Sequence, residues 1–328
     1  MPRFIARRLL IMIPTLFVIS VITFLIIQLP PGDFLTSYVA ELSSEGDTVN
    51  QDQIEALRVR YGLGQPFEVQ YWRWISGIFR GDFGRSLSWQ RTVSSLLAER
   101  LPWSMTIALS SFVLVWAIGL PIGVFSATHK YSLADYIVTF VGFIGVATPD
   151  FLIALVALWI YFSATGDAIV GLFSAKFAGA PWSFAKLLDL LKHLWIPALI
   201  TGTSGTAGLI RVVRANLLDE LDKPYVTVAR AKGLSERHIL YKYPFRIAMN
   251  PAVSTIGWVL PQLVSGELLV SIVLGLPTVA PILVTALLSQ DMFLAGSIIM
   301  IMSTLTVVGT LLSDLLLAWV DPRIRSAG

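Results

Sequence analysis

The amino-acid sequence predicts an all-α, polytopic membrane protein with six transmembrane helices and both termini in the cytoplasm. Three observations carry that expectation. Of 328 residues, 55% are hydrophobic and only 14% are charged, with a mean hydropathy of +0.73, whereas a soluble domain carries about 25% charged residues. The apolar residues fall in uncharged runs long enough to cross a bilayer, which takes about 20 helical residues. Lysine and arginine collect on alternate connections, the signal that orients membrane proteins. Helices are the expected element because backbone groups in hydrocarbon must be satisfied within the segment. The short alternating stretches of a β-barrel do not occur in the sequence.

Residues 1–8 form a basic cytoplasmic start with Arg3, Arg7 and Arg8, and 9–29 is the first span, uncharged from Leu9 to Leu29. A secretory signal also opens this way, but the run is too long for a signal core. No small-residue cleavage site follows in Gln28-Leu29-Pro30-Pro31 either, so the span is expected to be retained. Residues 30–102 make an external segment. Within it, Asp52–Tyr61 has helical spacing of Ile54, Leu57 and Tyr61 and stops at Gly62. Tyr71, Trp72 and Trp74 follow, and then the turn material Gly81-Asp-Phe-Gly84. This segment reads as a small cap on the outer membrane face, with two readings open: it docks a soluble solute-delivery protein, or it only covers the bundle.

The second span is 103–128, with Trp103–Thr128 uncharged, and the loop 129–135 carries Lys130. The third span is 136–163, in a run from Tyr136 to Gly166 that only Asp150 interrupts. An external loop, 164–193, leads to the fourth span, 194–213. Lys176, Lys186 and Lys192 of that loop run against the charge rule. The cytoplasmic stretch 214–246 is strongly basic, with eight Lys/Arg against four Asp/Glu between Arg211 and Arg246. The fifth span, 247–275, contains the single charge Glu267, and the external loop 276–291 has no Lys or Arg. The sixth span is 292–313, and the tail 314–328 ends with Arg323 and Arg325. Trp103, Trp195 and Trp319 fall at span ends, where amphipathic rings favour the headgroup layer.

Several function classes are excluded at this level. The chain has no cysteine, hence no disulfide, thiolate metal site or Cys nucleophile. His129, His193 and His238 are far apart in sequence, so no metal site is expected. A net charge of +3 does not suggest nucleic-acid binding. No paired acid and base, nucleophile set or G-x-x-x-x-G-K-[ST] phosphate loop occurs, so the chain is expected to be neither an enzyme nor itself an ATPase.

The longest polar stretch on the cytoplasmic side reads as helix, turn, helix. Leu218–Lys232 has an amphipathic stripe, Gly233 breaks it, Ser235 suits an N-cap, and Arg237–Tyr243 continues as a second helix. Ala229 and Ala231 beside the turn would let another protein approach closely. Val226, Val228, Ile239, Leu240 and Phe245 are too apolar for a solvated loop. The expectation is a compact knob that docks a partner. Inside the apolar runs, Asp150 and Glu267 are costly in hydrocarbon and should face the bundle or water. Glu267 is expected to line the cavity, and Asp150 either lines a pathway or is a carboxylate bonded to a neighbouring helix or near the cytoplasmic gate.

Other stretches carry a resemblance. Tyr225-Val-Thr-Val-Ala-Arg-Ala-Lys-Gly-Leu-Ser235 resembles the cytoplasmic loop of binding-protein-dependent ABC importer permeases, in the oligopeptide/dipeptide/nickel branch. Ala6-Arg-Arg-Leu-Leu with Leu29-Pro-Pro-Gly-Asp33 is similar to that branch's first span and exit. Tyr61-Gly-Leu-Gly, Gln70-Tyr-Trp-Arg-Trp74 and Arg80-Gly-Asp-Phe-Gly-Arg-Ser86 are similar to its external segment. Glu99-Arg-Leu-Pro102, Gly119-Leu-Pro-Ile-Gly-Val124 and Asp314-Leu-Leu-Leu-Ala-Trp-Val-Asp-Pro-Arg-Ile-Arg325 extend the likeness over roughly residues 3–325.

The resemblance implies the type I ABC importer permease fold, in the bacterial inner membrane. It implies one permease subunit of an ATP-driven importer for peptides or similar small solutes such as oligosaccharides, opines or metal chelates. The implied partners are a second permease, usually a paralogue, two ATPase subunits that hold ATP and Mg, and an external solute-binding protein. This chain itself would bind no cofactor. By resemblance the ATPase-coupling loop is Tyr225, Val228, Ala229, Arg230, Ala231, Lys232, Gly233, Leu234, Ser235 and Glu236.

Three departures from the branch stand out. Ser271 occupies a position that is often Glu, and Gly275-Leu-Pro-Thr278 replaces Trp-Pro-Gly. The segment Asp167–Lys192 is long, and Thr227-Val228-Ala229 replaces Glu-Ala-Ala. The first two bear on the solute, and Ser271 joins Asp150 and Glu267 as an expected pathway residue. The alternative reading is a stand-alone secondary transporter, which would usually show two related halves and ionisable residues near the midplane.

Overall fold

The structure is a computed structural model that describes residues 2–28, 55, 59, 64–166, 170–254, 256 and 267–320, with the side chains of 2–4 and 317–320 left aside. Most of the helix expected at Asp52–Tyr61, most of the fifth span with Gly257, Pro261 and Gly266, the ring of Trp319 and the tail beyond Val320 lie outside these. The described residues form helices joined by turns, with an isolated bridge between Arg85 and Thr92. The helices are α1 (Pro2–Gln28), α2 (Phe67–Phe79), α3 (Val93–Thr128), α4 (Leu133–Ala147), α5 (Asp150–Thr165) and α6 (Ala175–Ala178). They continue with α7 (Phe184–Leu221), α8 (Pro224–Ala231), α9 (Glu236–Lys242), α10 (Pro244–Ser254), α11 (Val279–Leu288) and α12 (Met292–Val320). Residues 267–273 are also helical.

Four of these helices are long and apolar enough to cross a membrane: α1, α3, α7 and α12. The third expected span is two helices rather than one. α4 and α5 are bent by 104° at their junction. Pro149 cannot donate to the preceding turn, and its ring pushes the residue before it out of helical geometry. Thr148 accordingly lies at φ −93°, ψ 124°, and α5 starts afresh at Asp150. The second expected span also starts early, because α3 begins at Val93 and carries Glu99 and Arg100 in its first turns.

The chain forms two compact units. The smaller, within 6–103 and 278–307, is built on aromatic packing. Phe24 of α1 meets Phe67, Tyr71 and Trp74 of α2 at ring-centroid distances of 4.9, 5.4 and 5.7 Å. Val93, Leu96 and Leu97 from the start of α3, Ile282 and Ala286 of α11, and Leu294 and Ile298 of α12 complete that core. Tyr71 shares a hydrogen bond with Ser20 at 2.8 Å. Asp291 is fully buried beside this core. Its Oδ2 accepts from the Ser86 and Ser88 hydroxyls (2.6 and 2.9 Å) and from the Leu87 and Ser88 amides (2.8 and 3.1 Å). Its Oδ1 caps α12 by accepting from Leu294 N at 3.2 Å. Gly84 lies at φ +78°, and a Cβ there would stand 2.7 Å from the Phe293 ring, so the 81–84 turn requires glycine on two counts.

The larger unit, within 2–5, 104–277 and 308–320 of the described chain, centres on α7. α3 runs parallel to α7 along a seam of small residues. Ser111 bonds Thr201, Gly202 meets Val115, Gly119 meets Leu209, and Gly123 meets Val213. The Gly119-x-x-x-Gly123 spacing removes side chains at the contact and lets the backbones close, the usual route to helix association in lipid. α4 runs antiparallel to α7, with Asp135 on Arg214, Gly142 near Ala207 and Gly145 near Thr203. The charge-rule exception in the 164–193 loop has a structural cause at one position. Lys186 is buried, donates to Ala180 O at 2.6 Å, and lies over the rings of Phe173 and Trp182 at 4.9 and 5.3 Å.

Candidate functional site

The stretch expected on the cytoplasmic side folds as helix, turn, helix, with three corrections to the expectation. The first helix is not continuous from Leu218, because α7 ends at Leu221 and α8 begins with Pro224 at its first position, where the missing N–H costs nothing. Ser235 stands at the N-cap of α9, but its side chain makes no capping bond. Ala229 is buried in the knob instead of lining its outside.

The turn itself is a Schellman motif. Leu234 N donates to Ala229 O at 3.3 Å, and Gly233 N donates to Arg230 O at 2.9 Å. Gly233 takes φ +75°, a conformation in which a Cβ costs about 1–2 kcal/mol. Val226, Ala229 and Ile239 form a small buried core, with half-buried Tyr225 against it. Burial pushes the Tyr225 phenol well above its ordinary range, and the nearby Glu220 carboxylate adds to the shift. The hydroxyl stays protonated and donates to Glu220 Oε2 at 2.7 Å. Arg230 clips the two helices together, donating to both Glu236 oxygens at 2.8 and 3.2 Å. That hydrogen bond holds the Glu236 carboxyl below its usual range. The outcome is an exposed ridge running without interruption from Arg230 to His238, with Val228 and Leu234 adding apolar surface.

Behind the knob, Asp135 on the first turn of α4 is buried and takes both arms of Arg214 on α7, each at 2.8 Å. Ser126 Oγ and Tyr131 N also donate to it. This node ties α3, α4 and α7 together, and sequence reasoning passed over it. Its one local trace is the spacing Ser132-x-x-Asp135, a capping-box pattern in which Ser132 Oγ accepts from Asp135 N at 3.2 Å. The partner Arg214, 79 residues away, has no such trace.

The three expected pathway residues separate into two places. Glu267 and Ser271 come together one helical turn apart. Glu267 Oε1 accepts from Ser271 at 3.2 Å and from Ser104 of α3 at 3.1 Å. Both are buried, at 1% and 0% exposure, so neither faces open space. Asp150 stands apart from them, partly exposed at the start of α5, and accepts from Ser204 of α7 at 3.2 Å. No group of three or more His, Asp or Glu side chains placed to hold a metal occurs among the described residues.

Comparison with known proteins decides the family. The family model described as "Binding-protein-dependent transport system inner membrane component" matches residues 119–326, which include α7, the knob and α12. The chain belongs to this family of inner-membrane transport components. A second model, for the "Binding-prot-dependent transport system membrane comp, N-term", matches residues 1–109. Relatives extend along the entire permease. It is 34% identical over 326 residues, 99% of this chain and 100% of the relative, to the oligopeptide transport system permease protein AppB of Bacillus subtilis. It is 30% identical to a putative peptide permease protein of Brucella ovis, covering 99% of each chain. It is 30% identical to the dipeptide transport system permease protein DppB of Alkalihalophilus pseudofirmus, over 97% of this chain and 98% of the relative. The resemblance read from the motifs therefore holds along the chain. It is a multi-pass permease subunit of an ABC importer in the inner membrane, and not itself an enzyme.

Proposed function

We propose that this permease forms half of a pore through which peptides enter the cell, and that ATPase subunits drive it by pushing on the knob. The cargo reading rests on the relatives, which are named as oligopeptide, dipeptide and putative peptide permeases. The knob is the observation that carries the mechanism. It has its own small core, a glycine turn and an exposed ridge from Arg230 to His238. Such a body transmits force, whereas a solvated loop would absorb it. Of the coupling-loop residues, Val228, Arg230, Ala231, Lys232, Gly233, Leu234, Ser235 and Glu236 contact the ATPase, while Tyr225 and Ala229 hold the knob together from within. A cleft of about 790 Å³ between the knob and the end of α3, walled by Leu120, Val124, Phe125, Leu240 and Phe245, leaves room for the knob to tilt.

The working complex contains a second permease, two ATPases that hold ATP and Mg, and an external solute-binding protein. The chain crosses the bilayer six times with both termini inside, and the bent pair α4–α5 serves as the third crossing. ATP closes the ATPase pair, the knobs move, and the two permeases rock from inward-open to outward-open to accept solute from the carrier. Among the pathway residues, Asp150 faces the solute, and Glu267 with Ser271 packs the wall behind it. Co-purification tests the reading: the ATPase should accompany the wild-type chain and be lost from Gly233→Arg. Solute exchange by the chain alone in vesicles, with no ATPase present, would replace this reading with that of a secondary transporter.

A further inference from the structure

We propose that Asp150 is the counter-ion for the N-terminal ammonium of the peptide in transit. The inference rests on the reading of peptides as cargo, and it begins with depth. Asp150 accepts from Ser204, and Ser204 stands ten residues from Leu194 and ten from Arg214. At 1.5 Å per residue that is about 15 Å from either end of the crossing proposed at 194–213, and Ser204 also falls near the middle of α7, Phe184–Leu221. The hydrocarbon core is about 30 Å thick, so the Asp150 carboxylate lies near the bilayer midplane.

The second step is charge. Asp150 is the only ionisable acid or base among residues 136–166 other than the phenols Tyr136 and Tyr161. Among the described residues no Lys, Arg or His forms an ion pair with it, and its hydrogen-bond donor is the neutral hydroxyl of Ser204. A lone carboxylate that faces lipid at this depth is strongly disfavoured. A half-exposed one must therefore meet water or a cation in the working transporter. Asp135 supplies the contrast. It is closed off by Arg214, Ser126 and Tyr131 and has no capacity left for a ligand.

The third step is access. The 104° break at Thr148–Pro149 ends α4 immediately before Asp150. Broken membrane helices are where transporters place midplane substrate sites. The cation that every peptide shares, whatever its side chains, is the terminal ammonium. A single carboxylate at the break would therefore hold peptides of many sequences by a common group and leave their side chains unread.

The test uses the assembled transporter in proteoliposomes with its ATPases and solute-binding protein, with ATP hydrolysis recorded alongside. Uptake of an alanine tripeptide is compared with that of its N-acetylated form, which lacks the charge, and its N-methylated form, which keeps it. The solute-binding protein's own affinity for each peptide is measured separately. We expect the wild type to favour the two charged peptides by at least about tenfold beyond the carrier's preference. Asp150→Asn, which keeps the Ser204 bond, should erase that excess, and Asp150→Glu should retain it. Ser204→Ala, which leaves the carboxylate in place, should also retain it and serves as the second variant. An Asp150→Asn transporter with undiminished preference overturns the proposal. So does an equal fall for all three peptides, the pattern of a structural residue or of a charge paired with the second permease. A wild type that imports other solutes and none of the peptides would instead overturn the cargo reading from which the inference starts.

Discussion

Asp291 and Glu236 each stand at the start of a helix, and the protein treats them in opposite ways. Asp291 is buried, caps α12, and gathers the 86–88 turn through four further donors. Glu236 opens α9 with 67% of its side chain exposed, and its bond to Arg230 is the closest polar contact it makes across the knob. A carboxylate in a dry setting with five donors is part of the scaffold, because each donor would be orphaned without it. A carboxylate in water adds little to stability and remains free to meet a partner. The smaller unit is therefore organised for rigidity, with aromatic rings packed around Phe24. The knob has a few buried side chains and a broad exposed ridge.

The sharpest way to break this comparison is Asp291→Ala. Removing one acceptor from five donors should cost about 3 kcal/mol or more, seen as a large drop in the unfolding midpoint of the detergent-solubilised chain. The same variant should leave ATPase binding to the folded fraction unchanged, and a loss of stability no greater than that of a surface substitution would refute the scaffold role.

Neither side of that network could be seen locally. Asp291 reads as the end of a polar turn, and the turn it grips lies about 200 residues earlier. The knob was visible because all its parts are neighbours in sequence: Gly233, the apolar positions at helical spacing, and Ser235. The details missed there were matters of competition. Pro224 at the start of α8 outweighed the apparent continuity of the amphipathic stripe, and Ala229 turned inward because Val226 and Ile239 needed a neighbour. At Pro149 the same imino acid divided the expected third span into two helices, since Thr148 was pushed into extended geometry.

Gly123→Leu should come next in size. A Cβ at Gly123 already stands 2.8 Å from Val213 Cβ, so the α3–α7 seam would have to open, at about 1–3 kcal/mol. Alanine at Gly202, 3.2 Å from Val115, should cost less, and the order of the two midpoints checks the seam.

Gly233→Ala should lower stability by about 1 kcal/mol, the cost of the left-handed turn, yet weaken ATPase co-purification more than any scaffold variant of equal stability. Equal weakening across both would erase the distinction between the regions.

The smallest effect is expected from Arg230→Ala, with no resolvable change in the unfolding midpoint. Because Arg230 depresses the Glu236 pKa, the clip is present above the ordinary carboxylate range. It is lost only as pH falls through the lowered value. Spin labels on Val228 and Arg237 should report a wider spacing in Arg230→Ala at neutral pH, and in the parent only under acidic conditions.

The Asp135–Arg214 junction turns the fourth helix into a lever. Two parallel hydrogen bonds at 2.8 Å fix its N-terminal end to α7, and its fifteen residues reach about 22 Å to the break at Thr148. With the N-terminal end as fulcrum, a swing of about ten degrees would carry the far tip through about 4 Å. Motion too small to notice at the anchored end thus becomes, at the break before Asp150, a stroke wider than a water molecule.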